Sequence, residues 1–555
     1  MKGADKEVIV IGGGLGGLFT AAILSHEGYV VTVLEKNATA GGGLQTFRRC
    51  GFTFETGMHT LGGFNEGGSL DKICRYLGIR DELLLQSDDL LTQITYLASN
   101  TTYRLPYGRE AFTEYLCRHF PREAEGIKAY VEAVYRLADE VDLFHLRESH
   151  DHLQSHSEAF MLAADEFVAR FVSDAKLRDL LAFMNPMYAG CRGVSPAYVH
   201  ALLNVLYLQR PCRFADGGRC LVDALTRVVR EGGGRVLTRH RVVHVEVRDK
   251  EVLWVQTAES GRHEAEEKKT DAENGRFSAA HVISAVHPLA LLPLLSEGAW
   301  PKAFRERLQA IPETYSAFTV FVVLRENAFP YIDHTCYYQD DFGMIWDHAR
   351  PVDAQWPHGF MYFTPPVPGQ GAFARKLIVN CVMPFSEVRP WADSSTGHRP
   401  EDYKAWKSQT TQRIVNRLAQ LFPGFREMAE YVEAASPLTI RDYYGTPEGA
   451  LFGYQKDCRN LTLSYLPVRT KVKNLWLTGQ NVNLHGICGV PLTAIQTAEA
   501  LLGRNVVVKH IHVSTKRVET SSALWKRRLG EEAAAWKFSQ ALVKFLHDRR
   551  VSESS

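Results

Sequence analysis

The sequence predicts an α/β fold: a Rossmann-like domain with a parallel sheet, into which a second, α+β domain is inserted. Three observations predict it. An apolar, β-branched run at residues 7–11 (EVIVI) leads without a gap into Gly12-Gly13-Gly14-Leu15-Gly16-Gly17. A second apolar run, Leu475-Trp476-Leu477, recurs near the far end and is again followed by glycines and an apolar helix pattern. The 555 residues exceed what one hydrophobic core usually supports, and 45% AVILMFWYC supplies apolar material for two.

The first element is a strand because both faces of a parallel sheet are covered, which favours near-continuous apolar runs. The glycines after it have the GxGxxG spacing. Gly12 permits a tight turn, Gly14 lets the backbone approach a pyrophosphate, and Gly17 lets the next helix, residues 18–27, pack closely on the strand. Leu15 and Gly16 complete the cofactor-binding turn, and the amides of the helix N-terminus face the diphosphate. A second apolar run, residues 29–34, ends in Glu35, about 20 residues beyond the glycines, where an acid accepts hydrogen bonds from a ribose 2′-hydroxyl. Such an acid repels a 2′-phosphate, so FAD or NAD is favoured over NADP; Lys36 adjoins it in the same set.

After Glu35 come Ala40-Gly41-Gly42-Gly43-Leu44-Gln45-Thr46-Phe47 and Gly51-Phe52-Thr53-Phe54-Glu55-Thr56-Gly57-Met58-His59. This pair of motifs resembles the extended flavin fingerprint of the phytoene desaturase, carotenoid isomerase and retinol saturase superfamily, its FETGMHTLGG stretch being most similar to the retinol saturase branch. The resemblance implies that Gly42, Gly43, Leu44, Gly57, Met58 and His59 join the flavin site. Many relatives carry arginine after the paired glycines, whereas Gly43 stands here, so backbone amides would substitute for a side-chain contact to the diphosphate.

At the far end Thr478-Gly479-Gln480-Asn481, then Gly486-Ile487-Cys488-Gly489-Val490-Pro491, resemble the family's closing flavin motif. The resemblance implies a strand that delivers Thr478, Gly479 and Gln480 to the cofactor. A glycine-bounded loop through Gly489, Val490 and Pro491 would reach the isoalloxazine edge. A helix over 492–502 would hold partial negative charge with its N-terminus. Between the motifs, Asp216-Gly217-Gly218-Arg219 precedes a helix at 221–230 and a strand at 236–247, with Val243 or Val245 implied near the adenine; the VISA strand at 282–285 lies beside the cofactor sheet. The resemblance spans about residues 7–503 and implies an amine-oxidase-like flavoprotein with non-covalent FAD.

The domain organisation expected is a discontinuous FAD-binding domain (1–87, 210–294, 435–503), a substrate-binding domain (88–209, 295–434) and a basic amphipathic extension (504–555). A hairpin around Ser99-Asn100 opens the first insertion. The second concentrates aromatics, Phe318, Phe321, Tyr331, Tyr337, Tyr338, Trp346, Tyr362 and Phe363, which suit a long apolar pocket over the flavin. Residues 261–275 are charged and read as an exposed hairpin tip. In the extension, Leu524, Trp525, Leu529, Trp536 and Phe545 share a helix pattern with Lys526, Arg527, Arg528, Lys537 and Lys544, a mixture that suits either a lipid–water boundary or docking on the protein's own surface.

Composition narrows the function. Formal charge is +1, so nucleic acid is not expected as a partner. The ten cysteines are scattered singly, so neither a metal site nor a disulfide framework is expected. The N-terminus is too short and wrongly flanked for a signal peptide and no stretch reaches the length of a membrane span, so a cytoplasmic protein, with membrane contact from the side at most, is expected. No Ser/His/Asp order, HExxH or Walker A appears in a convincing context, which leaves chemistry to the flavin.

A flavin exchanges hydride at N5, and the protein lays the substrate's carbons near that atom and excludes water. The resemblance implies reduction, desaturation or isomerisation of a polyene, with NAD(P)H as an electron donor for reduction. Saturation needs a proton besides a hydride. His59 and His485, in flavin-proximal motifs, are the candidate donors, against a structural role for each; Tyr443, Tyr444 and Tyr454 are weaker candidates. Two other classes stand beside this reading: an amine-oxidase-like enzyme, and a lipid-carrying escort without catalysis, which intact glycines at both flavin motifs disfavour.

Overall fold

The computed structural model describes residues 6–57, 59–149, 156–259, 275–347, 351–367, 369, 371–460 and 465–516. At its centre is a five-stranded sheet ordered Leu475–Leu477, His281–Ser284, Glu7–Ile11, Val30–Leu34, Arg235–Leu237. Every neighbouring pair is parallel. Glu7–Ile11 occupies the middle, and Val8, Ile9, Val10 and Ile11 are at most 3% exposed, which is why its apolar run is unbroken. The helix Leu15–His26 packs between the helices Arg219–Glu231 and Gly486–Leu502. Segments separated by hundreds of residues thus close one layer.

The strand expected at 236–247 is two strands in different sheets. Arg235–Leu237 extends the parallel sheet, whereas His240–Arg248 pairs with Glu251–Glu259 and Arg276–Phe277 in a small antiparallel sheet. Arg239 between them has φ of 61°, a left-handed residue that turns the chain out of the first sheet. The charged tip beyond Glu259 lies outside the described residues up to position 274.

Both insertions contribute to one seven-stranded mixed sheet, ordered Ala429–Ala435, Ser316–Leu324, Lys376–Met383, Gly359–Phe363, Cys336–Gln339, Thr92–Tyr96, Thr101–Leu105. Its pairs are antiparallel except Cys336–Gln339 with Thr92–Tyr96. All nine residues of Ser316–Leu324 are buried. Their alternation sorts them: Phe321 and Val323 join the core shared with the parallel-sheet domain, while Phe318, Val320 and Val322 pack with Ile414, Val415 and Leu418 of the helix Glu401–Leu421.

The same alternation corrects the expectation of one aromatic pocket. Phe321, Tyr337 and Phe363 face inward, but Phe318, Tyr331, Tyr338 and Tyr362 lie on the side of the helix Glu401–Leu421, and Trp346 packs separately with Ala164, Ala182 and Ile345. Composition alone could not show this, because successive strand residues point to opposite faces.

The domains are joined where Leu85–Ser87 pairs with Cys212–Phe214. Beside this joint Arg213 Nε donates to Asp88 Oδ1 at 2.9 Å, with both side chains at most 1% exposed. Thr60 Oγ1 donates to Asp88 Oδ2 at 2.9 Å and Arg213 Nη1 donates to Thr364 O at 3.2 Å, so the pair ties the fingerprint loop to the seven-stranded sheet. Burial pushes the Asp88 carboxyl upward while Arg213 draws it down. Arg213→Met should therefore strand a buried carboxylate and cost about 3–5 kcal/mol in urea unfolding, of which Asp88→Asn in the same chain should restore part. A loss under about 1 kcal/mol would mean that the joint does not depend on the pair.

Among the described residues no helix is long and apolar enough to cross a membrane. The described part of the extension, a helix over 506–516, is docked: Val507, Val508 and Ile511 are buried in the main core. His512 Nε2 lies 2.8 Å from Leu146 O, and Asn505 Nδ2 donates to Ser149 O at 3.0 Å. The apolar and basic residues from Leu524 onward lie outside the described residues.

Candidate cofactor cleft

A cleft of ≈ 460 Å³ opens at the C-terminal ends of the parallel strands, where Gly12, Glu35, Ala285 and Gly479 each follow or nearly follow a strand. Ligands of such sheets bind there because the loops diverge and helix N-termini point in. The helix Leu15–His26 aims its first turn at the cleft; Gly14 is its N-cap and offers no side-chain cap. Its free amides make that end an anion site.

The four glycines have separable reasons. Gly12 has φ of 100°, and a Cβ on it would lie 2.9 Å from Val286 Cγ1. A Cβ on Gly16 would lie 2.9 Å from Gly479 Cα, and one on Gly17 only 2.0 Å from Gly12 O. Gly14 differs, since its φ of −71° and ψ of 178° suit any residue and a Cβ there would meet no protein atom nearer than Gly42 Cα at 3.9 Å. Nothing in the polypeptide requires glycine at 14. The volume a side chain would fill is the cleft itself, which fits a diphosphate lying against the backbone. Leu15 lines the same wall.

Glu35 is 5% exposed and held from both sides: Gly13 N donates to Oε2 at 2.7 Å and Asn37 N donates to Oε1 at 2.7 Å. Burial pushes its carboxyl upward, opposed by those two N–H bonds and by Lys36. Each oxygen keeps a lone pair, which suits a ribose diol. Lys36 lines the cleft, but its Nζ donates to Asp442 O at 2.9 Å and Asn37 Nδ2 donates to Tyr443 O at 3.2 Å. These bonds fasten the end of the helix Pro437–Tyr444 over the ribose side. Gly42–Leu44 is a 3₁₀ turn whose first residue, at φ of 57°, packs on Gly14: a Cβ on Gly42 would lie 3.0 Å from Gly14 Cα. Gly43, Leu44 and Gly57 also line the cleft. Met58 lies outside the described residues.

From the far end of the chain, Thr478 N donates to Ser284 O at 2.9 Å and Thr478 Oγ1 lies 2.9 Å from Thr20 Oγ1, locking the closing motif onto the first helix. Gly479, at φ of 92°, and Gln480 line the cleft. The loop expected through Gly489, Val490 and Pro491 is helical instead, because the helix Gly486–Leu502 starts six residues earlier than 492. Pro491 sits inside this helix, past the four free amides, and has no N–H to offer the carbonyl of Ile487. Gly486 and Ile487 therefore bring the helix N-terminus to the cleft and Val490 lines it. Gly489 packs on Leu484, where a Cβ would lie 2.7 Å from Leu484 Cβ, and Pro491 is buried in the helix without lining the cleft.

Val243 is likewise displaced. The pairing register slips between Val242 and His244, and this irregularity puts His240, Arg241 and Val242 on the cleft wall and leaves Val243 off it. Val245 is fully buried and pairs with Val255.

Neither candidate histidine lines the cleft. His59 lies beside it, its Nδ1 accepting from Thr60 N at 2.7 Å and its ring edge-on to Phe363 at 6.1 Å between centroids. Burial, and then Arg213, bring its imidazole down to about 4. His485 is the N-cap of the helix Gly486–Leu502 and packs on Phe452 of the cleft wall at 5.0 Å. Burial, and then Lys456, bring it also to about 4, against a backbone bond at Met187. Both rings are neutral at pH 7 and so lack the acidic imidazolium form.

Sequence reasoning missed Lys456. It is 8% exposed and shares a cavity of ≈ 30 Å³ with Asn483, His485 and leucines of the helix Ala197–Gln209. Burial brings its ammonium down to about 7. Asn483 Oδ1 and His485 Nε2 have no hydrogen-bond partner among the described residues. The signal in sequence was weak: a lone lysine in YQKD reads as a surface residue, and only the fold closes leucines round it.

Comparison with known proteins bears on this cleft directly. A family described as flavin containing amine oxidoreductase matches residues 15–502. The chain belongs to the flavin-containing amine oxidoreductase family. It is similar to human all-trans-retinol 13,14-reductase, 25% identical over 90% of this chain and 86% of that one. It is also similar to prolycopene isomerase 2 of an Oncidium hybrid cultivar, 23% identical over 80% and 75%. Among solved structures, an oxidoreductase from Methanosarcina mazei shares the fold, with a TM-score of 0.59 and 16% identity over 89% of this chain and all of that one.

As a member of the flavin-containing amine oxidoreductases the chain is a flavin-dependent oxidoreductase, and FAD supplies the redox chemistry when bound. The residues present fit it: the uncapped helix start at Gly14, the vacant side-chain position there, the held acid at Glu35 and the second helix start at Gly486.

Proposed function

We propose that this enzyme acts on carbon–carbon double bonds of a hydrophobic polyene or isoprenoid, by saturation, desaturation or isomerisation. The observation that carries this reading is the similarity, along most of the chain, to relatives whose names give all-trans-retinol and prolycopene as their substrates. NAD(P)H serves as electron donor in the reductive direction, and the flavin is held non-covalently.

The purified full chain, reduced anaerobically, should convert all-trans-retinol or a poly-cis carotene to a product two hydrogens heavier, or of equal mass and altered geometry, by liquid chromatography and mass spectrometry. Oxidation of simple amines with no change in any polyene would overturn the reading. Acid or heat should release the flavin, and flavin left attached to protein after denaturation would overturn non-covalent binding.

Saturation adds a hydride to one carbon and a proton to its neighbour. Lys456 shares a side cavity with His485, and neither it nor the two histidines lines the cleft, so turnover of the single variants decides which of them hands on the proton. Lys456→Met, His59→Ala and His485→Ala should each keep FAD, and the variant that removes the general acid should lose turnover on the order of 10²–10⁴-fold. Turnover unchanged in all three would take the proton away from each of them.

A further inference from the structure

Tyr444 ends the helix Pro437–Tyr444, outside every glycine motif, yet its ring lines the cleft. Gly43 and Gly57 face its hydroxyl from two different motifs. Neither has a positive φ, so an L-residue could hold either backbone without strain. What excludes a side chain is largely the phenol: a Cβ on Gly57 would lie 2.7 Å from Tyr444 Oη, and one on Gly43 would lie 3.2 Å from it. Gly43 O adds a further obstacle at 2.9 Å from the Gly57 position. Two side chains are thus forgone around one hydroxyl.

Thr56, within hydrogen-bonding reach of the hydroxyl, can donate to it or to Gly43 O and Gln45 O, 3.2 Å away each, and donation to the phenol leaves the phenol's own proton for a further acceptor. The helix end carrying Tyr444 is fastened by the bonds of Lys36 and Asn37 to Asp442 O and Tyr443 O. Gly43 directly follows Gly42, which packs on Gly14, the anion-facing turn. There the Lys36 ammonium is already committed to a carbonyl, and position 43 has no side chain to offer.

We propose that Tyr444 is a cofactor-binding residue whose hydroxyl donates to a diphosphate oxygen of FAD, in the place a side chain at position 43 would take. This rests on FAD occupying the cleft. It accounts for glycine at both 43 and 57, and it makes the substrate-side helix part of the cofactor cradle.

The test titrates full-length apoprotein with FAD by flavin fluorescence, and with ADP and adenosine by calorimetry. Tyr444→Phe, which removes only the oxygen, should weaken FAD and ADP about tenfold or more, as loss of a hydrogen bond to a charged group does, and leave adenosine unchanged. Gly57→Ala should weaken FAD by crowding the phenol, and adding Tyr444→Phe to it should cost little more. Tyr444→Phe binding FAD like wild type, or losing ADP and adenosine alike, would overturn the proposal, as would fully additive losses in the double variant. Wild type that takes up no FAD would instead overturn the cofactor reading itself.

Discussion

Gly14→Val should give a folded, colourless protein. Gly14 has an extended backbone conformation open to any residue, and a Cβ there meets protein no nearer than 3.9 Å. The apoprotein should unfold within about 1 kcal/mol of wild type, the range of an ordinary surface substitution and of exchanging one uncapped N-cap residue for another. The side chain would instead occupy cleft volume beside the Gly14 backbone, where the diphosphate approaches the helix start. FAD affinity should fall by at least about a hundredfold, since losing close contact with those amides forfeits several charge-assisted hydrogen bonds. Absorbance near 450 nm per protein, with thermal unfolding of the same sample, checks both halves. A yellow Gly14→Val protein would remove the cleft from consideration as the flavin site.

Gly17→Ala, a smaller change three residues away, should do the opposite and take the fold with it. A single methyl there would lie 2.0 Å from Gly12 O and 3.2 Å from the Ala285 side chain. Neither neighbour is a flexible side-chain end: Gly12 O belongs to the turn that leaves the central strand, and Ala285 follows His281–Ser284 in the same sheet. Relief would require the first helix to lift off the sheet, opening the contact between its buried Leu18, Ala21 and Ala22 and the core. The expected cost exceeds about 4 kcal/mol, the upper tail for single substitutions, and comes as insoluble expression or a large fall in Tm. The check is thermal unfolding of apoprotein, which leaves flavin loss out of the comparison. Gly17→Ala unfolding within about 1 kcal/mol of wild type would show that the helix–strand crossing is looser than its geometry implies.

Much of the cleft was legible because it is built from local chemistry. The turn at Gly12–Gly17, the acid at Glu35 and the strand before Thr478 each follow from spacing along a few residues, and each lines or frames the cleft. Where reading failed, the cause was long-range. Val243 was displaced by a register slip whose partner strand lies in the next hairpin arm. The start of the helix Gly486–Leu502 was obscured because GICGVP looks like a loop, and packing of Gly489 on Leu484, with Thr497 Oγ1 donating to Leu477 O, holds the helix there. Lys456 and Tyr444 sit in stretches whose local pattern carries no cofactor signal, and burial among distant leucines or between distant glycines is what marks them.

The sequence by itself determined the α/β class, the dinucleotide turn and the flavin family. These depend on backbone conformations and periodicities that neighbouring residues impose on one another. Only the tertiary structure decided that both insertions share one seven-stranded sheet, and that its aromatics divide between an inner and an outer face. It also buries His59, His485 and Lys456, which lowers the pKa of each, and brings Tyr444 to the wall of the cleft. Those properties come from desolvation and steric contact between residues hundreds of positions apart, which act only once the chain has closed.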